Sequence, residues 1–451
     1  MKKQKVTTLL VSPLQTENFT HRTTLIEALI AANIKIMMMP QSEEWDGHSD
    51  LSHQQLREVE IEDLLPREKI EVDLVAIGNM LRGKRILITG AAGSIGSEMA
   101  RQVAKFQPTE LVLVDQAETP MHDLRLWMNN FFKADSPSPS GEGRGEAPHV
   151  ETIVTSICKE DRMEKIFAKY KPEYVFHAAA YKHVPMMEDN PAEAVQNNIY
   201  GTRVIADLAV KYGTKKFIMI STDKAVNPTN VMGCSKRICE IYCQALNAHL
   251  RQQEAKNPSL QGGAGVGCQF VTTRFGNVLG SNGSVIPIFK EQIKKGGPVK
   301  VTHPEIIRYF MLIPEACRLV LEAGTMANGG EIYVFDMGEP VKIVDLAKRM
   351  IALSGAKDVK IEFSGLRDGE KLFEELLATK ENTKPSTHPK IKVAAVREYP
   401  YELALQNEKE LHELSFSADD MDIVRKMKEI VLEYKPIFTK YQILNDETDS
   451  H

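Results

Sequence analysis

The stretch KRILITGAAGSIGSEMARQVAKF, residues 84–106, decides the fold. RILITG (85–90) is a continuous apolar run closed by a glycine, the pattern of a buried strand ending in a tight turn. Gly90-Ala91-Ala92-Gly93-Ser94-Ile95-Gly96 follows as a G-x-x-G-x-x-G loop, and Ser97 to Phe106 has the spacing of a helix. Strand, glycine loop and helix in this order form the phosphate-binding turn of a dinucleotide fold. Gly90 permits the turn, Gly93 admits the pyrophosphate to the backbone, and Gly96 lets helix and strand pack closely. The helix N-terminus then presents N–H groups, including those of Ser94 and Ile95, and its positive dipole end to the phosphates.

LVLVD (111–115) predicts the next strand, and Asp115 closes it 19 positions after Gly96. A carboxylate there suits the hydroxyls of an adenosine ribose and disfavours a 2′-phosphate, which selects NAD over NADP. Further strands are predicted at 151–154, YVFHAA (174–179), FIMIS (217–221) and FVTTRF (270–275), with helical segments between them. Alternation of this kind predicts an α/β fold: a Rossmann-like, doubly wound parallel sheet. After residue 286 the alternation weakens, and a smaller mixed α/β substrate-binding domain is expected over 286–399. The NAD-binding domain is expected over 84–285. Residues 133–148 and 257–267, rich in Gly, Ser and Pro, read as surface insertions. Residues 1–56 read as a partial α/β fragment (strand 6–12, helix 21–32, strand 34–39), 57–83 as a connector turning helical toward Arg82, and 400–451 as polar helices with a frayed tail.

Composition narrows the class. Hydrophobic residues make up 43% and charged residues 26% of the 451, with a formal net charge of −5 and no long basic run. That balance predicts a globular protein whose main partner is not nucleic acid. The six cysteines form no C-x-x-C pair and no zinc-type spacing, so no metal site is expected; Cys239 and Cys243 share a helix face and read as buried free thiols. Leu25 to Met39 is interrupted by Glu27, Asn33 and Lys35 and falls short of the ~20 apolar residues of a membrane span. A soluble, cytoplasmic chain is therefore expected.

The candidate chemistry lies in Ile220-Ser-Thr-Asp-Lys-Ala-Val-Asn-Pro-Thr-Asn-Val-Met-Gly-Cys-Ser-Lys236. Ser221 to Lys224 follow a predicted strand, at the end of the sheet where open α/β folds bind ligands. Met232 and Lys236, four positions apart on a predicted helix, share one face.

The glycine loop, HAAAYKHVPMMEDNP (177–191), NNIYGT (197–202), STDKAVNP (221–228), MGCSK (232–236), RFGNVLGSNGSVIP (274–287) and GLRDGEKLFEELL (365–377) together resemble the extended short-chain dehydrogenase/reductases. Within these, the chain resembles the nucleotide-sugar 4,6-dehydratases of bacterial polysaccharide and glycan synthesis that act on UDP-N-acetylglucosamine. Most relatives carry Tyr-x-x-x-Lys, with the tyrosine as base toward the sugar C4 hydroxyl. Here Met232 occupies that position, and a thioether exchanges no proton. A larger, usually membrane-anchored subgroup of the dehydratases is similar in having methionine. Residues 1–56 resemble only the end of that subgroup's middle domain, so the chain is either naturally short or part of a longer one. Two further departures are Ser156, where relatives commonly place an adenine-contacting Asp, and Asp368, where they usually have proline.

The resemblance implies an NAD-dependent, C5-retaining dehydratase that oxidises C4, eliminates water across C5–C6 and returns hydride to C6. It implies Asp223 as acid for the C6 hydroxyl, Lys224 as base at C5 and Lys236 on the nicotinamide ribose. Lys224 must lose a proton from a reference pKa of ~10.4, for which burial and a nearby Lys236 are the expected causes. With tyrosine absent, Thr222, Asp223 or a bound water must relay the C4 hydroxyl proton. Ala178 and Ala179 are implied to line the cofactor, with Ser156 at the adenine. Lys182 and His183 are implied at the sugar, although His183 serves equally as a structural hydrogen-bonder. Asn198 reads as an amide bracing the sheet near the nicotinamide. Asn277 is implied at the sugar or diphosphate, Arg308 and Arg367 at the diphosphate through bidentate guanidinium contacts, and Glu370 at the uridine ribose. A homo-oligomer is implied too. A C5-inverting dehydratase, a UDP-sugar 4-epimerase and a non-catalytic NAD or nucleotide-sugar sensor remain as alternatives.

Overall fold

The computed structural model of the chain describes residues 6–15, 18–19, 22–32, 34–39, 57–58, 70–134, 148–256, 267–281, 283–356, 358–374 and 383–448. It divides into two units. The larger comprises Ile70–Val278, Ile313–Met337 and Leu366–His451, and the smaller comprises Met1–Lys69, Leu279–Leu312 and Gly338–Gly365.

A nine-stranded sheet runs through the larger unit. Its strands are β1 (Arg85–Thr89), β2 (Glu110–Asp115), β3 (His149–Val154), β4 (Tyr174–His177), β5 (Lys216–Thr222), β6 (Gln269–Phe275), β7 (Ile332–Phe335), β8 (Thr383–Pro385) and β9 (Ile391–Ala394). The spatial order is β8-β9-β7-β6-β5-β4-β1-β2-β3. The first seven strands are parallel to their neighbours, while β8 and β9 close the edge antiparallel. From β3 to β6 the order is that of the doubly wound dinucleotide fold, with its reversal between β1 and β4. The expected fold class is therefore present. Ile86, Leu87, Ile88, Leu111, Leu113, Val175, Phe176, Phe217 and Ile218 have no exposed surface or essentially none. Strands covered on both faces need such unbroken apolar runs, which is why these segments lack alternation.

The chain parts from the expected boundaries in informative places. Residues 332–394, expected in the substrate-binding domain, supply three strands to the main sheet. The helix after the glycine loop, α1 (Ser94–Ala104), begins three residues before the expected Ser97, inside the loop itself. The C-terminal stretch is not a frayed tail where it is described: Tyr434, Tyr441 and Leu444 are buried in the same apolar cluster as Met232 and Phe217. Helices α3 (Tyr401–Ser417) and α4 (Asp420–Ile430) pack there on the long helix α2 (Val231–Lys256). A polar composition concealed this, because a few large aromatics suffice to anchor such a segment.

In the smaller unit the expected N-terminal elements appear as Thr8–Val11, Thr23–Ala31 and Lys35–Met38, the two strands pairing in parallel around Val11, Ile26, Leu29, Ile36 and Met38. Most of the two proposed surface insertions, 135–147 and 257–266, and of the connector, 59–69, lies outside the described residues. Among the described residues, no helix is long and apolar enough to cross a membrane.

Candidate active site

Six strand ends in the larger unit carry most of the candidate residues. At the end of β1, Gly90 has φ +67°, and a Cβ there would lie 2.6 Å from the Ala178 carbonyl carbon and the Ala179 nitrogen. Gly96 is tighter still, since a Cβ would stand 2.0 Å from the Gly90 oxygen. Gly93 is the N-cap of α1 and provides no side-chain cap, so the positive end of an eleven-residue helix dipole lies at this loop. Asp115 has two duties in this region. Its Oδ2 accepts from Ala92 N at 3.0 Å and its Oδ1 from Ala117 N at 2.9 Å, tying the glycine loop to the end of β2. Ser156 Oγ accepts from Cys158 N at 3.2 Å in the turn after β3. Ala178 and Ala179 follow β4, with Ala178 N donating to the Thr89 carbonyl. A glycine cradle, a helix N-terminus and a strand-end carboxylate fit a dinucleotide pyrophosphate and its ribose.

Register brings the next two strand ends together. Ser221 pairs with Arg274 and Thr222 with Phe275, so Asp223-Lys224 and Gly276-Asn277 leave the sheet side by side. Arg274 is fully buried and donates from Nε and Nη2 to Glu240 of α2, at 2.8 and 2.6 Å. Ser221 Oγ donates to the same carboxylate at 2.7 Å. Burial alone would raise the Glu240 pKa, but the Arg274 guanidinium holds it below the ordinary value. This ion pair locks β5, β6 and α2 into one frame behind the site.

On that frame Thr222 Oγ1 donates to Asp223 Oδ1 at 2.9 Å. Lys224 Nζ lies 3.1 Å from Asp223 Oδ1, 2.9 Å from Glu374 Oε1 and 3.1 Å from Asn277 Oδ1. Asn277 Nδ2 donates to Glu374 Oε2 at 3.1 Å. The Asp223 and Glu374 side chains are 2% and 5% exposed, against 23% for Lys224. Burial and then the Glu374 charge raise the Asp223 pKa to about 6, against the pull of Lys224. Gly276 is required beside this group, because a Cβ there would sit 2.9 Å from Asp223 Oδ2.

Glu374 is the residue that sequence reading missed. It arrives through a set of long-range contacts: Thr229 Oγ1 and Asn230 Nδ2 both donate to the Gly369 carbonyl at 3.1 Å. Lys371 Nζ donates to the Val226 carbonyl at 3.1 Å, and Gly369 N to the Ile437 carbonyl at 3.0 Å. The segment is thus pinned to the chain just after the Asp223-Lys224 turn. Its only sequence signal was membership of the GEKLFEELL block.

Among the described residues Lys224 pairs with two carboxylates, a setting that favours the ammonium over the neutral amine. The lysine that Lys224 faces is Lys182, whose pKa falls by burial first and by the Lys224 charge second. His183 is lowered by burial and by Lys182. Both are surface-accessible, after β4. Met232 and Lys236, each 4% exposed, sit one turn apart in α2. Lys236 lies near the buried His177, whose pKa is pushed down to about 3 by burial and then by the Lys236 charge. His177 pairs with Thr89 Oγ1 and Thr202 Oγ1 at 2.8 and 3.0 Å, so it braces the sheet as a neutral ring. Asn198 does brace the site: its amide exchanges hydrogen bonds with Tyr181 N and O at 2.7 and 3.0 Å and donates to Ser235 Oγ of α2 at 3.0 Å.

Arg367 is exposed, and its N–H donates to Glu370 Oε2 at 3.1 Å, closing the turn that contains Asp368. Arg308 is buried in the smaller unit, with Nη1 donating to the Ile307 carbonyl at 2.7 Å. All six cysteines are free, five of them buried, as expected for Cys239 and Cys243. No His, Cys, Asp and Glu group among the described residues has a metal-binding arrangement.

Because Met232 is core as well as site, its variants separate shape from chemistry. Met232→Ala is expected to lower thermal stability by about 2–5 kcal/mol, the usual cost of emptying a buried methionine site, whereas Met232→Tyr is expected to keep the turnover of the unsubstituted chain. Thermal melts alongside product assays check both. Equal loss of product in two well-folded variants would assign the thioether a role in shaping the site.

The sheet order and the glycine loop define a Rossmann-like, doubly wound α/β protein. More narrowly, the chain belongs to the polysaccharide biosynthesis protein family, whose model matches residues 86–396. It is 46% identical over 369 residues to the capsular polysaccharide biosynthesis protein CapD of Staphylococcus aureus, covering 81% of this chain and 57% of that protein. The chain therefore spans little more than half the length of this relative. It is 32% identical to the UDP-glucose 4-epimerase of Rickettsia felis, over 68% of this chain and 81% of that one. It is 29% identical to the inverting UDP-N-acetylglucosamine 4,6-dehydratase of Campylobacter jejuni, over 66% and 79% of the two chains. Among solved structures, Pen from Bacillus thuringiensis is similar at TM-score 0.60 and 29% identity, over 71% of this chain and 91% of that one.

Proposed function

We propose that the chain is an NAD-dependent UDP-N-acetylglucosamine 4,6-dehydratase of surface polysaccharide or glycan synthesis, retaining configuration at C5. One observation carries this reading: Asp223 and Lys224 stand 3.1 Å apart at the strand end next to the dinucleotide cradle. Epimerisation at C4 has no use for such an acid–base pair, whereas elimination across C5–C6 requires one. Gly90, Gly93, Gly96, Ser94 and Ile95 would hold the NAD pyrophosphate, Asp115 and Ser156 its adenosine end, and Ala178, Ala179 and Lys236 its nicotinamide end. NAD supplies reversible hydride acceptance at the sugar C4 and return at C6. Lys182, His183, Asn277, Arg367 and Glu370 are proposed to hold the UDP-sugar.

The chain's own residues then move the protons. Thr222 stands in for the absent tyrosine. Its hydroxyl takes the C4 hydroxyl proton as it passes its own to Asp223, along the 2.9 Å bond between them. Asp223, now protonated, gives that proton to the departing C6 hydroxyl, which leaves as water. Lys224 removes the C5 proton and returns it to the same face, which retains the configuration. Asp223 ends ionised, as it began, and no net proton is consumed.

This relay fixes a pH dependence. Asp223 accepts a proton only when ionised, which holds above its pKa of about 6. Since kcat/KM reports the free enzyme, it is expected to fall about tenfold per pH unit once the pH drops below that value. A rate that falls instead as pH rises through 6 would make Asp223 a resting acid and remove the relay.

The reading is tested by incubating the purified protein with UDP-N-acetylglucosamine and NAD in D₂O and following products by NMR. A 4-keto-6-deoxy sugar with retained C5 supports it. Inverted C5 assigns the alternative stereochemistry named for the Campylobacter relative, a galacto-configured sugar assigns an epimerase, and no turnover leaves the sensor.

A further inference from the structure

If the chain catalyses the proposed dehydration, the reading on which a role for Glu374 rests, Lys224 poses a problem. Among the described residues its Nζ faces Asp223 Oδ1, Glu374 Oε1 and Asn277 Oδ1, at 3.1, 2.9 and 3.1 Å. Three acceptors match the three N–H bonds of an ammonium. Held in this way, the lysine has no lone pair for the C5 proton until it passes one of its own to a neighbour. Asn277 accepts none. Asp223 is occupied at that stage by the proton it must deliver to the C6 hydroxyl. Glu374 is left, with Oε1 on the lysine and Oε2 fixed by Asn277 Nδ2 at 3.1 Å.

A second observation concerns Asp223. Its Oδ2 is buried and accepts no hydrogen bond among the described residues, although the Glu374 carboxylate acts on it directly. Two buried carboxylates at one ammonium are an arrangement in which an extra proton is readily held, because like charges in close quarters disfavour double ionisation. The groups facing Asp223 are Thr222 and Lys224 of its own turn, Glu374 from the 366–374 segment, and the Gly276 backbone; Lys182 acts on Lys224 from the turn after β4.

We propose that Glu374 is the positioning residue of the elimination step, orienting Lys224 toward C5 and storing its proton while the amine acts as base. The inventory balances. The Lys224 ammonium gives one proton to the Glu374 carboxylate, leaving a neutral amine and a carboxylic acid. The amine takes the C5 proton and later returns it to C5, and Glu374 then restores its proton to Lys224. Both groups finish as they began, and no external acid, base or oxidant beyond NAD is needed.

Glu374→Gln keeps the size of the side chain and one of its two acceptor oxygens but cannot store the proton, and Glu374→Asp keeps the charge with a shorter reach. With NAD and UDP-N-acetylglucosamine, Glu374→Gln is expected to lower kcat on the order of 100-fold with KM unchanged. Reduced nicotinamide absorbance should accumulate, because C4 oxidation precedes the blocked step. The acidic limb of its residual kcat/KM profile should move to lower pH, since the charge that disfavours Asp223 ionisation is gone. Glu374→Asp should recover part of kcat, and it carries the test if the glutamine variant fails to fold. Wild-type turnover in folded Glu374→Gln, or a KM rise with no reduced nicotinamide and an unmoved limb, overturns the inference while leaving the dehydratase reading intact. Absence of any 4-keto product from the wild-type protein overturns the dehydratase reading first, and this inference with it.

Discussion

Asp223→Asn is expected to abolish most turnover, lowering kcat by about 10²- to 10⁴-fold, the range for loss of a general acid–base group. The block should fall at the first step. Asparagine still accepts a hydrogen bond from Thr222 but takes no proton, so the C4 hydroxyl keeps its own and no reduced nicotinamide appears. Lys224→Met, of similar length, should be equally slow overall and yet differ in kind: C4 oxidation proceeds, and reduced nicotinamide builds up because C5 is never deprotonated. Stopped-flow absorbance with UDP-N-acetylglucosamine separates the two. The lysine variant leaves the Asp223 and Glu374 carboxylates, 2% and 5% exposed, without their shared counter-ion. Removing one partner of a buried ion pair costs about 3–5 kcal/mol, so its melting curve must be recorded beside its kinetics. Accumulated reduced nicotinamide in Asp223→Asn would transfer the relay from Asp223 to another acceptor.

The second large effect lies in the glycine loop. Gly96→Ala would put a Cβ 2.0 Å from the Gly90 oxygen, 2.7 Å from the Gly90 carbonyl carbon and 2.8 Å from the Ala91 Cα. These are backbone atoms of the turn itself, so no side-chain rotation relieves the clash. The helix and strand must separate, at or above the ~1–3 kcal/mol usual for overpacking, and the phosphate cradle is distorted with them. A lower Tm and loss of NAD binding are expected together. Gly93→Ala should behave differently. Its Cβ would meet the Gly90 oxygen at 3.2 Å, a contact that small shifts relieve, but it would stand where the pyrophosphate approaches. That variant should lose affinity for NAD with little change in Tm. Calorimetric titration with NAD and thermal melts distinguish the pair, and a Gly96→Ala protein that melts like wild type would remove the close-packing role.

Placing Glu374 beside Asp223 and Lys224 changes how the site divides its labour. In the proposed reaction Asp223 is ionised at the start and acidic a step later, a sequence suited to a pKa near the working pH. Burial and a second carboxylate supply that environment here. Met232 fits the same scheme, because the Thr222–Asp223 bond offers a proton route at the same strand end that does not pass through its position.

Much of this site is legible in the chain because its constraints are local. A turn that packs a helix against its own strand admits only glycine at fixed positions, so Gly90, Gly93 and Gly96 announce it without any tertiary partner. Strands buried on both faces show as unbroken apolar runs, which identify β1, β2, β4, β5 and β6 to within a residue or two at most ends. Asp223 and Lys224 stand out because they follow such a run. The start of α1 is harder to place because Ser94 to Gly96 have the composition of a loop, although their N–H groups already belong to the helix.

Other features depend on contacts between distant segments, and no local pattern encodes them. β7, β8 and β9 join the main sheet only because an open edge beyond β6 needs hydrogen-bonding partners, and their sequences do not say which sheet will provide them. Tyr434 and Tyr441 look like part of a polar tail until the cluster that buries them is assembled. By itself the sequence determined the parallel dinucleotide fold, the cradle and the Asp223-Lys224 pair, since steric and hydrophobic demands within short segments require those residue types. Only the tertiary structure decided that Lys224 lies between two carboxylates, that Asn277 joins them, and that Glu374 completes the group. Electrostatic environment is set by which segments the fold brings within a few ångströms, and for Glu374 that is the pinning of residues 369–371 to 226–230.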